Sequence, residues 1–455
     1  MYKNNSIITR CTRRLASRWA KWLALLAAVL VLSGGGAIAQ QFAHGSSGHW
    51  FLSDTLATTS SAPQEAPTGF DGLANGMVDD TTHAADQAVF DEVDSISSGL
   101  GPVYNAQSCR ECHQSPVSGA ISQVTELRVG STSRNGTFTA PNVPVGDAGD
   151  VIANRSLIND RAICPSGALA SSEVQERVPD GMNVRTLRTS LNTLGDGYIE
   201  AIPDSTITRI ATKQCNQNNG QICGTVISVP VLEVPGQTRV ARFGWKNQHA
   251  SLLSFSSDAY LNEIGITNRL SMQDTTTVCK TTTDPEDHPD ANGLADIDHF
   301  AQFMRASKPP ARDATLAATL DAQKGADIFS QLGCDTCHVS SFVTAPAGSV
   351  INSGAFVVPD ALGNKIIHPY SDFLLHNVGT GDGIVQNGGP ATALLMRTPP
   401  LWGVRLRTRM LHDGRALTFD DAIRGHSGEA SHVVRNYIQL TQQEKEQIET
   451  FLRSL

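Results

Sequence analysis

The chain carries the pattern Cys-x-x-Cys-His twice, at Cys109-Arg-Glu-Cys112-His113 and at Cys334-Asp-Thr-Cys337-His338. Two thiols three positions apart on a tight turn can add to the two vinyl groups of one haem, and the adjoining imidazole then falls beneath the iron. A chain with two such motifs has to fold around two flat prosthetic groups, each tethered at one edge. Zinc and a redox dithiol are the alternatives. Zinc wants four ligands in one compact set, whereas these pairs lie more than two hundred residues apart, and a dithiol has no use for the fused His. The expectation is two covalently attached c-type haems, with Cys109, Cys112, Cys334 and Cys337 as attachment points and His113 and His338 as proximal iron ligands.

The N-terminus points to the compartment in which c-type haem is attached, outside the bacterial cytoplasm. Residues 3–21 hold six basic side chains and no acid, an apolar run follows over Leu23–Leu32, and Ala37-Ile38-Ala39 offers a small-x-small cleavage site. Residues 1–39 therefore read as a signal peptide cleaved near Ala39, and the protein as periplasmic or otherwise exported. The apolar run is short for a membrane span of about 20 residues. Without those residues, 29 Lys and Arg face 44 Asp and Glu, a net charge near −15. That balance argues against nucleic acid as a partner and suits a small oxidant and a protein electron donor. Cys164, Cys215, Cys223 and Cys279 remain beside the haem thiols, an even number compatible with disulfides, and Cys215 and Cys223 flank a short polar loop that could be bridged.

Residues 40–70 are rich in Ser, Thr, Ala and Gly and read as a flexible lead-in. Residues 71–310 read as an N-terminal haem domain with β insertions, including a hairpin from Val226–Val234 and Thr238–Phe243, and 311–455 as a C-terminal cytochrome c-like haem domain. In the latter, Leu316, Leu320, Ile328 and Phe329 mark a helix leading into Cys334. Thr441 with Glu444 caps a C-terminal helix bearing Ile448, Phe451, Leu452 and Leu455. Cytochrome domains are mainly helical, so the fold class expected is mainly α, with the strands as decorations.

The sixth position of each iron separates an electron-transfer haem from one that can bind an oxidant. For the second haem the candidates are His368, Tyr370, His376, His412, His426, His432, Met396 and Met410. For the first, only His249 suggests itself. The stretches Arg397-Thr-Pro-Pro-Leu-Trp402-Gly-Val-Arg405, Leu411-His412-Asp413-Gly414-Arg415-Ala416 and Gly425-His426-Ser-Gly-Glu429-Ala430 resemble the di-haem oxidoreductase family. More distantly, the chain is similar to bacterial di-haem cytochrome c peroxidases and MauG-like enzymes.

The resemblance implies several roles. In the peroxidases a distal Met ligand follows a His-x-Gly element by fourteen residues. The same count from His412 reaches His426, which makes His426 the implied distal ligand and His412 a group beside the cofactor. Thr418 and Asp421 can cap a short helix that ends near His426. Trp245, within Arg242-Phe243-Gly244-Trp245-Lys246, matches the segment bearing an inter-haem tryptophan, and core packing is its other reading. Glu263 matches an acid-base glutamate, while the glutamine that accompanies it in the relatives is replaced by Ser254 or Phe255. Glu200 resembles a further motif and could equally form a salt bridge. Relatives often hold calcium, and the acidic run Asp284, Glu286, Asp287, Asp290, Asn292, Asp296 and Asp298 makes calcium a further candidate, although it lacks EF-hand spacing.

The function expected is a di-haem oxidoreductase that reduces peroxide or a similar oxidant, with electrons passed between the haems. A plain di-haem electron carrier and a MauG-like oxidase acting on a protein or polymer are the rival readings.

Overall fold

The described residues form eleven α-helices, six of which open on a polar side chain that caps the first turn. In the computed structural model, which describes residues 62–147 and 149–455, these are α1 (Asp80–Asp91), α2 (Cys109–Cys112), α3 (Asp196–Glu200), α4 (Asp204–Gln217), α5 (Leu252–Ala259), α6 (Asp296–Ala306), α7 (Ala314–Ala317), α8 (Leu320–Leu332), α9 (Phe419–Arg424), α10 (Ser431–Ile438) and α11 (Gln442–Ser454). Asp79, Ser251, Asp313, Thr319, Thr418 and Thr441 each accept a backbone N–H of the turn they open. The signal peptide read over 1–39 and the lead-in as far as residue 61 lie outside the described residues.

The C-terminal helices cross as the sequence suggests. α8 and α11 pack through Phe329, Ile448, Phe451 and Leu452, with the rings of Phe329 and Phe451 5.2 Å apart. They approach so closely at Gly325 that a Cβ there would lie 1.9 Å from the Gln447 carbonyl oxygen. Leu320 departs from the expected face and is 65% exposed. Thr319 starts a new helix there, which resets the helical phase between Leu316 and Ile328.

The expectation of a mainly α fold is overturned: 32% of the described residues are helical and 16% lie in strands, distributed over many small sheets. The strands begin with β1 (Gln64–Glu65), β2 (Val103–Tyr104), β3 (Thr125–Thr132), β4 (Phe138–Thr139), β5 (Val143–Val145), β6 (Asp150–Ile152), β7 (Leu157–Ile158), β8 (Arg161–Ala162) and β9 (Val184–Thr189). β3 is the hub, pairing antiparallel with β4, β7 and β9. Its side chains alternate as strand geometry demands. Leu127 and Val129 join a core with Val143, Val145, Ile152 and Ile158, so Glu126 and Arg128 turn to the opposite face. β9 sets Arg188 across from Glu126 and Thr186 across from Arg128. The strands between β3 and β9, beyond the hairpin expected as an insertion, form a wall with a second core behind it. The β-branched residues here favour strands, Gly and Pro interrupt them and keep them short, and the apolar face supplies the burial they need.

The expected hairpin is present with shorter arms, β10 (Ser228–Pro230) and β11 (Thr238–Val240). β1, inside the segment read as a lead-in, pairs in parallel with Lys365–Ile367. Disulfides join Cys164 to Cys279 and Cys215 to Cys223. Among the described residues no helix is long and apolar enough to cross a membrane.

Candidate functional site

Three of the histidines singled out by sequence are oriented in one way. The Nδ1–H of His113 donates to the Ala120 carbonyl at 3.3 Å, that of His338 to the Tyr370 carbonyl at 3.0 Å, and that of His426 to the Ala422 carbonyl at 2.7 Å. A carbonyl only accepts, so the proton sits on Nδ1 and the lone pair on Nε2 is left available to a metal. Burial lowers the pKa of all three, to about 4 for His113 and His338. Each is thereby kept neutral, as a metal-ligating imidazole must be.

His338 and His426 line one cleft with about 1500 Å³ of atom-free space, alongside Cys334, Cys337, Phe329 and Leu452. His426 reaches it because Thr418 caps α9 and the chain turns two residues beyond the end of that helix. Thiols at one edge, imidazoles in the walls and an apolar lining fit a haem. The other candidate ligands are arranged differently. Met396, Met410 and His412 also line the cleft, while His368 is exposed and pairs with Glu65. His432 lies on the surface of α10 beside Asn436. The carbonyl of Tyr370 orients His338.

His376 lines the cleft with both nitrogens engaged, 2.9 Å from Glu429 and 2.9 Å from Asp372. Burial disfavours its charge, but Asp372, then the Cys337 thiol and Glu429, outweigh that and raise its pKa. It is a buried imidazolium held between two carboxylates.

Trp245 and His412 stand at the inner end of the cleft, their rings 6.2 Å apart and nearly perpendicular. The indole N–H donates to the Thr189 carbonyl at 2.7 Å. Two residues on, the Leu191 backbone approaches the His113 ring. One short stretch after β9 thus connects Trp245 with the first Cys-x-x-Cys-His segment. His412 donates to or accepts from the Thr186 hydroxyl through Nε2 at 3.3 Å, and its buried Nδ1 has no hydrogen-bond partner.

Around His113 the surroundings differ. Burial, two backbone groups and the charge of Arg407 account for its titration, with no second imidazole involved. Glu263 lies on the π-helical turn Tyr260–Ile264 after α5, close enough to Cys112 to influence its thiol. The Asn105 amide donates to Glu263 Oε2 at 2.7 Å, and the Glu126 carboxyl is in hydrogen-bond contact with Glu263. Burial and then the charge of Glu126 push the Glu263 pKa up to about 8. Burial would raise Glu126 as well, but the Arg128 guanidinium, bonded through Nε at 2.8 Å and Nη2 at 2.9 Å, holds it low.

Neither Ser254 nor Phe255 takes the place of the absent glutamine. The Ser254 hydroxyl donates to Glu233, and Phe255 stacks with Phe243 and His249. His249 pairs with Asp258 at 3.2 Å. Glu200 is a structural anchor, fully buried, bonded at 2.7 Å by Arg305 and also by Asn352 and the Leu252 N–H. Of the acidic run, Asp284 and Glu286 gather with Asp274 around the Lys280 ammonium, which already supplies that cluster with a cation.

Sequence reading missed Glu126, Arg128, Arg188 and Asp382. Arg188 is 1% exposed and bonds Asp382 at 2.6 and 2.9 Å; Asp382 also pairs with Lys246 at 3.3 Å. The available signal was the alternation in Thr-Glu126-Leu-Arg128-Val and Val-Arg-Thr186-Leu-Arg188-Thr, which puts charge on one face of two strands.

A family model described as "Di-haem oxidoreductase, putative peroxidase" matches residues 162–455. No curated protein sequence matches the chain. Among solved structures, hydrazine synthase of Kuenenia stuttgartiensis is similar at 13% identity and a TM-score of 0.36, covering 93% of this chain and 100% of that one. A MauG-like protein associated with microbial copper homeostasis is similar at 14% identity and 0.33, covering 90% and 95%. The diheme peroxidase BthA of Burkholderia thailandensis is similar at 12% identity and 0.38, covering 87% and 94%.

Proposed function

Starting from a chain that belongs to the di-haem oxidoreductase family and uses haem as its cofactor, we propose an exported enzyme that reduces hydrogen peroxide or a similar small oxidant with electrons from a protein donor. Cys109 and Cys112 would hold one haem covalently and Cys334 and Cys337 the other, with His113, His338 and His426 as iron ligands. Bound haem supplies the iron that takes up and passes on electrons.

The observation that carries this reading is the asymmetry of the two sites. His338 shares its cleft with a second imidazole whose Nε2 is free, a pairing suited to storing an electron without binding a small molecule. Near Cys112, the residue before His113, the candidates are instead an acid and an amide, Glu263 and Asn105, a pairing suited to an incoming oxidant. Reduction of peroxide to two waters consumes two electrons and two protons. A carboxyl group protonated at neutral pH can give a proton to the departing oxygen and recover one from water. Asn105 orients that carboxyl and supplies the amide for which the sequence offers no glutamine. Trp245 lines the second cleft and is tied to Thr189, two residues before the Leu191 backbone that approaches His113, which suits it to carry electrons from one site to the other.

The test combines the mass of the denatured chain with ferric and half-reduced spectra under peroxide and cyanide. We expect two haem masses retained, and one high-spin haem that responds to both ligands beside one low-spin haem that ignores them. Two low-spin haems indifferent to peroxide in every redox state would make the protein an electron carrier instead.

A further inference from the structure

We infer that Glu126 is a positioning residue that shares one proton with Glu263 and, clamped as a carboxylate by Arg128, keeps that proton on Glu263. The inference rests on Glu263 being the proton donor proposed above and adds the device that holds it ready.

Two carboxyls in hydrogen-bond contact have no hydrogen to share when both are ionised, and like charges at that distance repel strongly. Such a pair therefore retains one proton between its members. Which member keeps it is settled by the neighbours. Arg128 lies two residues along β3 from Glu126, on the same face, and its planar fork meets both Glu126 oxygens. That geometry favours a carboxylate. Arg188, directly across on β9, adds a second positive charge 3.9 Å from Glu126 Oε1. Glu263 has no such clamp. Its Oε2 accepts one neutral amide bond from Asn105, and its contact with Glu126 is better made by a protonated carboxyl that donates. The other charged groups in this neighbourhood come in opposite-sign partnerships, Arg155 with Glu176, His249 with Asp258 and Arg161 with Glu111. The proton accordingly rests on Glu263, and the pair with Arg128 is electrically neutral.

The pair is also the end of a buried ionic chain. Arg188 bonds Asp382, and Asp382 pairs with Lys246, the residue after Trp245. The charge on Glu126 is thereby balanced from both sides, which explains how a carboxylate persists in a buried wall beside a second acid.

The experiment uses the haem-loaded protein. Infrared difference spectra of wild type labelled with ¹³C-glutamate should show a protonated carboxyl band at neutral pH that is absent in Glu263→Gln. Absence of that band from wild type overturns the inference without recourse to any variant. Turnover of peroxide in wild type should fall as pH rises on the alkaline side of neutrality, because the acid form is present below its pKa and lost above it. In Glu126→Gln the repelling charge is gone and Arg128 is free to favour an ionised Glu263. The alkaline limb should then move down by roughly one unit or more and the infrared band should weaken markedly at neutral pH, with both haem spectra unchanged. Glu126→Asp should restore both. An unmoved limb in Glu126→Gln overturns the pairing while leaving Glu263 as donor. Full turnover in Glu263→Gln would instead sink the donor assignment, and the infrared band would still report on the pair.

Discussion

His426 and His412 show how little separates an iron ligand from a neighbour at the level of one side chain. Both line the cleft behind Cys334 and Cys337. His426 gives its Nδ1–H to the Ala422 carbonyl and keeps Nε2 free, whereas His412 engages Nε2 with the Thr186 hydroxyl and leaves Nδ1 unpartnered. On that difference His426→Ala should open the second iron and produce an additional high-spin ferric signal, while His412→Ala should leave it low-spin. The reverse pattern in electron paramagnetic resonance spectra would exchange the two assignments. The cysteines and histidines proposed for haem attachment and proximal ligation could be picked out because that chemistry depends on spacing within five consecutive residues. Glu126 was not, since what makes it relevant is a carboxyl 137 positions away at Glu263.

At the level of elements, two packing contacts govern how the sites are framed. The crossing of α8 over α11 has no room for a side chain at Gly325, where the nearest obstacle is the Gln447 backbone rather than a flexible tip. Gly325→Val should therefore separate the helices and destabilise the protein by at least about 1–3 kcal/mol, seen as a lowered thermal midpoint for the signal of the second haem. An unchanged midpoint would mean the helices slide without cost. The second contact is the pairing of β3 with β9, which gathers Glu126, Arg128, Thr186 and Arg188 on one surface. The helices α8, α9 and α11 were readable from caps and apolar periodicity. Most of the strands were underweighted because segments of two or three residues carry too few alternations to reveal a face, whereas β3 and β9 are long enough to show one and were passed over within a stretch rich in Gly, Pro and Asn.

Across the whole molecule, distant parts of the chain are joined by buried charge as well as by the Cys164–Cys279 disulfide. Asp382 accepts from both Arg188 and Lys246, with all three side chains essentially inaccessible. Removing its charge strands two buried cations, so Asp382→Asn should cost on the order of 3–5 kcal/mol, measured as a shift of the denaturant midpoint. A shift below about 1 kcal/mol would mean that water reaches the pair. The same substitution withdraws a counter-charge from beside Trp245 and the β3–β9 wall, so a stability loss of that size ties the fold of the two sites together.

The sequence by itself determined what is local: two haem-binding motifs, capped helices, the Thr441 capping box, and the candidate imidazoles His113, His338 and His426, whose identity follows from short spacings and the resemblance they carry. Only the tertiary structure decided which nitrogen of each imidazole is free, that Glu200 is an anchor held by Arg305, that Lys280 fills the acidic cluster, and that Asn105 and Glu126 flank Glu263. Those outcomes depend on hydrogen-bond partners and charges brought together from remote positions. The energy of a buried charge is set by everything within a few ångströms of it, and sequence separation says almost nothing about that distance.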